Sequence, residues 1–296
     1  MIVDNAPRIK KILLEVWKPL TALFAWDVAV TILYFTHNFH VDSLPLTIFG
    51  TVVALFLTAR TGSAYARWWE GRMLWGQMIN SSRNLARAVI AFLPEDGERM
   101  RDMKRTLVLR QIAYVHALRG QLRRHSFDDD VHRFLSAGEA SPSLARTNAA
   151  NGILDGSARR LAETTRSGAI DTIQQTHIER VLVDIANAQG GMERLKNTPL
   201  PMQYRFFPDF FTRVFCILLP IGVVETLGWA TPVGSTVAGL MFLAALQVGD
   251  DLADPFNATP HDLPLKAMCR TIEIDLLQAI GDPAPEPLTP VKGVLW

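Results

Sequence analysis

The sequence predicts an all-α integral membrane protein: two helical hairpins in the bilayer and a helical, water-facing domain inserted between them. Three observations lead there. Apolar runs fall in two pairs, Pro19 to Thr36 with Leu44 to Ala59, and Val214 to Val224 with Leu227 to Val248. Within those runs Asp27 is the single charged side chain. Finally, no Lys or Arg lies between Pro19 and Ala59 or between Val214 and Gly249, so all 30 basic residues sit outside both windows. A span needs roughly 20 residues. The fourth run meets that, while the second and third must borrow from their flanks, with Phe206, Phe207, Phe210 and Phe211 extending the third backwards.

The elements follow in order. Residues 1–62 form the N-terminal segment and first hairpin, whose connection at 37–43 carries His37, His40 and Asp42 but no base. Residues 63–204 form the helical domain. Leu74, Met78, Leu85, Val89 and Phe92 recur at helical spacing, and Arg101 to Arg124 and Ser157 to Leu195 are also amphipathic. Residues 126–156, with Asp128-Asp129-Asp130, glycines and a proline, read as a loop-rich connection. Residues 205–249 form the second hairpin, whose connection at 225–231 holds Glu225 and again no base. The basic residues flank the other ends, at Arg8, Lys10, Lys11, Lys18, Arg60, Arg67, Arg205 and Arg213. By the positive-inside rule, both termini and the long middle are cytoplasmic. Residues 250–281 form a further cytoplasmic helical segment, and the proline-rich tail, 282–296, is expected to be extended or disordered. No strand signal and no internal repeat is visible.

Composition removes several function classes. A hydrophobic share of 49% with mean hydropathy +0.14 is too apolar for an ordinary soluble domain. A net charge of +1 gives no pull toward nucleic acid. Cys216 and Cys269 supply neither a disulfide framework nor a CxxC metal pair, and both read as buried thiols. The start, MIVDNAPRIKKILLEVWKP, has an acidic residue and no small-residue cleavage site, so no cleavable signal is expected.

Three stretches then carry a resemblance: YARWWEGRMLWGQMINSSRNL after the second apolar run, ERLKNTPLP before the third, and DPFNATPHDLPLKAMCRTIEIDLL after the fourth. Together, from about the first span to about Gly281, they resemble the bestrophin family in its short bacterial form. The resemblance implies a homopentameric ion channel with four transmembrane helices per subunit and a pore along the common axis. The second span would line a hydrophobic neck, and the cytoplasmic helices a wider vestibule ending in a second constriction. Eukaryotic members are calcium-gated chloride channels, and some bacterial members favour monovalent cations. The expected partners are further copies of the same chain, membrane lipids and small monovalent ions, with no nucleic acid and no cofactor.

Aligned to the family, the three neck levels fall on Thr51, Leu55 and Ala59, where the family has bulky apolar residues; only Leu55 is one here. The alternative register puts Val52 and Phe56 on the axis. The second constriction falls near Ile173, which pattern alone does not separate from Ile170. The acids Asp250, Asp251, Asp254 and Asp262, with His261, have hard oxygen donors. Compared with the calcium-gated relatives' acidic run, however, NATPHD keeps one carboxylate, so Asp251, Asp254 and Asp262 form at most a degraded cation site, and the competing reading makes these acids helix caps and ion-pair partners. Calcium is accordingly not expected to be needed for opening. Asp27, costly in lipid, is expected to bond a hydroxyl on the next helix, at Thr47, Thr51 or Thr58. His37 and His40, an H-x-x-H pair, read as an exposed loop before they read as a zinc site. Asp42 and Glu225 mark the outer mouth and lean the selectivity toward cations, whereas Arg60, if it faces the axis, argues for anions. The rival classes are a metal-dependent membrane enzyme, for which no HExxH or nucleophile-base pair is present, and a membrane-anchored helical scaffold.

Overall fold

The structure is a computed structural model that describes residues 1, 9–37, 44–95 and 97–296, with side chains in the first helix from Val16 onward. Among the described residues no strand forms; the one β-type pairing is an isolated bridge between Val291 and Val294. The chain divides into two compact units, one of Asp4–Trp68 with Pro199–Asp254, the other of Met1–Val3, Trp69–Thr198 and Pro255–Trp296. Residues 255–296 group with the middle of the chain.

The first unit holds α1 (Ile9–His37), the first half of α2 (Leu46–Phe92), α8 (Met202–Leu227) and α9 (Thr231–Ala253). Three stretches among the described residues are long and apolar enough to cross a membrane: Val16–His37, Leu46–Phe92 and Met202–Ala253. The last contains both α8 and α9, joined by a 3-10 turn, Gly228–Ala230. Gly228 takes a positive φ of 53° there, a conformation open to glycine. At 1.5 Å per residue, α8 and α9 run about 39 and about 35 Å, each beyond the ~30 Å hydrocarbon core. Glu225, expected in the connection, is in the last turn of α8, and His37 is the last residue of α1.

α9 packs on both α1 and α8. Val16, Val53, Leu57, Phe215, Leu243 and Leu246 form the buried centre. Small residues permit the close approach, as in other lipid-embedded bundles. A Cβ on Gly222 would sit 2.4 Å from Leu46 Cδ1, and one on Gly239 3.3 Å from Leu23 Cδ1. Asp27 is buried and accepts hydrogen bonds from Ser235 Oγ (3.1 Å) and Thr236 Oγ1 (2.8 Å) on α9. The expected partner class, a hydroxyl, is right and the helix is not. α1 lies against α9, so Asp27 faces the small polar residues of α9 and not the threonines of α2.

The second unit is built around α3 (Glu98–Arg123), with the rest of α2, α4 (Asp128–His132), α5 (Ala137–Leu144), α6 (Ala149–Arg166), α7 (Thr172–Asn197) and α10 (Leu265–Ala279). α3 is buried almost continuously from Leu107 to Leu118 and packs on α4, α6, α7 and α10. The loop-rich reading of 126–156 is overturned: α4, α5 and the first turns of α6 occupy it. Three aspartates open α4, where the helix dipole favours them, and Asn148 caps α6 by accepting from the Asn151 N–H. The tail is extended, as expected, and fixed in place. Asp282 accepts two bonds from Arg105, and the Trp296 carbonyl accepts from Ala267 N at 2.7 Å.

Candidate pore-lining site

α2 enters its unit as the run Thr51–Leu57, apolar except for Thr51, and its two sides have opposite fates. Val53, Leu57, Arg60 and Ala64 are buried. At about 100° per residue these positions share one face. Thr51, Leu55 and Ala59 share the opposite face and are exposed, Leu55 to 66%. Thr51 turns its hydroxyl back to the Thr47 carbonyl at 2.7 Å, which leaves its methyl outermost. The flank between these faces belongs to α8. The Phe56 ring lies 5.3 Å from that of Phe211, and Val52 lines an open apolar groove with Ile48, Phe49, Phe211, Val214 and Leu218. Val52 and Phe56 therefore turn toward α8 of the same chain, and among the described residues Leu55 is left largely exposed.

Where the apolar run ends, α2 is fastened to the end of α9. Arg60 is 3% exposed and pairs with Asp250. One heptad on, Arg67 Nε donates to the Ala253 carbonyl at 2.9 Å. Sequence reasoning placed both arginines beyond the bilayer edge and weighed Arg60 as an axis-facing charge. Its phase was the missed signal, since it stands three residues after Leu57 and seven after Val53, on the buried stripe.

The remaining candidate residues are dispersed. Ile173, in the first turn of α7, is 79% exposed, and Ile170 is buried. A capping box holds that turn, with Asp171 accepting from Gln174 N and Gln174 Oε1 accepting from Asp171 N. Glu225 is exposed, as is His37. Asp42 and His40 lie outside the described residues. Asp251 accepts from Gln247 Nε2 at 3.0 Å, and Asp254 ends α9. Asp262 is buried and accepts from Thr259 N (2.8 Å) and Oγ1 (2.7 Å), closing its own turn. Among the described residues no three His, Cys, Asp or Glu side chains gather as a metal ion would need.

The second unit holds a buried charge cluster that sequence reading did not single out. Glu273 on α10 accepts from Arg133 Nη2 at 2.8 Å and lies 3.3 Å from His116 Nε2 and 3.2 Å from Arg270 Nε. Burial pushes the Glu273 carboxyl up, but the neighbouring His116, Arg133 and Arg270 outweigh it and hold it below the usual carboxylate range. Burial pushes the nearby Cys269 thiol up to about 12, so it carries no thiolate near neutrality.

Comparison with known proteins places this arrangement. The sequence profile described as "Bacterial/Fungal Bestrophin protein" matches residues 8–278. The voltage-dependent anion channel-forming protein YneE of Escherichia coli K12 is 35% identical over 260 residues, 88% of this chain and 84% of that one. A voltage-dependent anion channel-forming protein of Mesorhizobium japonicum is 34% identical over 248 residues, 84% of this chain and 78% of its own length. Among solved structures, a bacterial bestrophin homologue from Klebsiella pneumoniae superposes with a TM-score of 0.84 at 30% identity, covering 90% of this chain and 99% of that one. A point variant described in the same way gives 0.85 at 30% identity, covering 90% and 100%.

Proposed function

The chain belongs to the bacterial and fungal bestrophin family, and on that premise we propose that it is a homopentameric membrane channel passing small monovalent ions, anions foremost, through a central pore. The family is one of channels and not of enzymes. In this reading each subunit crosses the membrane four times, by α1, the first part of α2, α8 and α9. Basic residues at the start of α1, after the apolar part of α2 and at the start of α8, with none from Val214 to Gly249 or from Pro19 to Ala59, argue for cytoplasmic termini and a cytoplasmic helical domain, in a protein of the cell membrane.

The observation that carries the proposal is the exposed face of α2. An apolar stripe opposite its own subunit's core has two uses in a bilayer, to meet lipid or to meet other copies around an axis. The short side chains of Thr51 and Ala59 on either side of Leu55 suit a lumen, which needs width, better than a lipid face. Five Leu55 side chains then form a single bulky apolar ring. Such a ring gates by dewetting and binds no ion. Ile173 forms the second, cytoplasmic constriction, and Glu225 stands at the outer mouth.

The sign of selectivity follows the relatives. An apolar ring fixes no sign, and the lean toward cations rested on Asp42 and Glu225 alone. Both curated relatives described above carry the name of anion channel-forming proteins, which moves the proposal to anions. Purified protein in a planar bilayer under a potassium chloride gradient tests it. Unitary currents reversing near the chloride potential are expected. Reversal near the potassium potential overturns the anion assignment, and silence of folded protein overturns the channel.

A further inference from the structure

The apolar start of α2 raises a problem of orientation. From Val52 to Leu57 every side chain is apolar. Hydrophobic burial is non-directional. Rolling this stretch back by one residue about its own axis would exchange Val53 for Val52 and Leu57 for Phe56, at little cost in buried area. Packing alone therefore does not specify which face looks away from the subunit. Directional contacts do, and they come immediately after the apolar run. The Arg60 guanidinium is buried and paired with Asp250, and Arg67 donates to the Ala253 carbonyl. Both grip the last turns of α9. Gly249 lies against the Arg60 side chain, where a Cβ would be in ordinary contact at 3.4 Å from Arg60 Nε. A guanidinium is always charged, and rolling it toward hydrocarbon is costly.

We propose that Arg60, acting through Asp250, is the positioning residue of α2: it fixes the roll of the helix and keeps the Thr51, Leu55 and Ala59 face turned out of its own subunit. The inference rests on the channel reading, and the charge that follows the apolar run is then the device that orients the run.

The test is cysteine accessibility, read by intact mass on protein in lipid nanodiscs with a charged, water-soluble methanethiosulfonate. Cys216 and Cys269 are both buried and give little background. With Arg60 and Asp250 intact, Leu55→Cys is expected to label faster than Val52→Cys. Adding Asp250→Asn, whose side chain is half exposed and so a mild change, is expected to abolish that preference, and Arg60→Gln to do the same. The exchange Arg60→Asp with Asp250→Arg is expected to restore it. A preference that survives both Asp250→Asn and Arg60→Gln in folded protein overturns the positioning role and leaves the pore face standing. Equal labelling at 55 and 52 with the pair intact overturns the pore face itself, and the positioning role with it.

Discussion

Leu55 is exposed where a buried leucine would be unremarkable, and Asp27 is buried where an exposed aspartate would be. Asp27 illustrates how far single-residue reasoning reaches. That a carboxylate in an apolar span must find donors follows from elementary energetics. Which donors it finds depends on helix packing, which no local pattern encodes, and so the hydroxyls proved to be Ser235 and Thr236 on α9. Asp27→Ala strips both hydroxyls of their acceptor and is expected to cost about 1–3 kcal/mol, seen as a lower thermal midpoint. Asp27→Asn should recover most of it, because hydroxyls can also donate to an amide oxygen or accept from its nitrogen. Unchanged unitary conductance in both marks the residue as structural; altered conductance at full stability would place it on the ion path. The acids after α9 make a second case. Asp250 is spent on Arg60, and Asp262 on Thr259. Calcium takes six to eight oxygens, so opening is expected to persist with chelator on both sides of the bilayer; silence reversed by added calcium would refute this.

At the scale of the element, legibility tracked length. α2 and α3 were readable from periodicity because many turns repeat one signal, whereas Ser157 to Leu195, read as one amphipathic stretch, is divided between α6 and α7. α4 and α5, with 5 and 8 residues, are too short to show a period, and their aspartates, glycine and proline resemble turn chemistry. The placement of α4 depends on non-local charge, in which Arg133, its C-cap, reaches Glu273 on α10, and Arg119 on α3 pairs with Asp130. That cluster makes a pH prediction. The Glu273 carboxyl is held below its ordinary range, so the stability it contributes is complete above about pH 4.3 and is lost as pH falls through the lower folded value. Protection factors of α4 and α10 amides, taken against the intrinsic exchange rate at each pH, are expected to fall on acidification below that point. In Glu273→Gln, protection of these amides is expected to be weaker at neutral pH and to change less with acid. Acid-invariant protection in the unsubstituted protein would contradict the role given to the cluster.

For the molecule as a whole, the all-helical fold with stretches long and apolar enough to cross a membrane was legible, because bilayer thickness acts on whole segments. The division into compact units was less so. α2 passes from one unit into the other without a break, and residues 255–296 fold with the middle domain by contacts distant in sequence, such as Cys269 Sγ to the Val115 carbonyl. The neck level at Leu55 came from resemblance to the family; the spacing alone left Val52 and Phe56 open. Much apolar surface remains uncovered on a single chain, including Ile48, Leu55, Ile173, Val183, Phe206 and Phe210. Mass measurement in mild detergent is expected to give five chains of 33.0 kDa each, and a stable monomer or dimer would leave the pore without walls.

The central claim, that the Leu55 face of α2 lines a conducting pore, is tested most directly by the unitary conductance of Leu55→Ala beside that of the unsubstituted channel. Leu55 is exposed on its own subunit, so truncation creates no cavity within it. It removes five leucine side chains from the one bulky ring and wets the neck. Conductance or open probability is expected to rise, with thermal stability nearly unchanged. An unaltered Leu55→Ala channel, together with a rise on Phe56→Ala, would contradict the account.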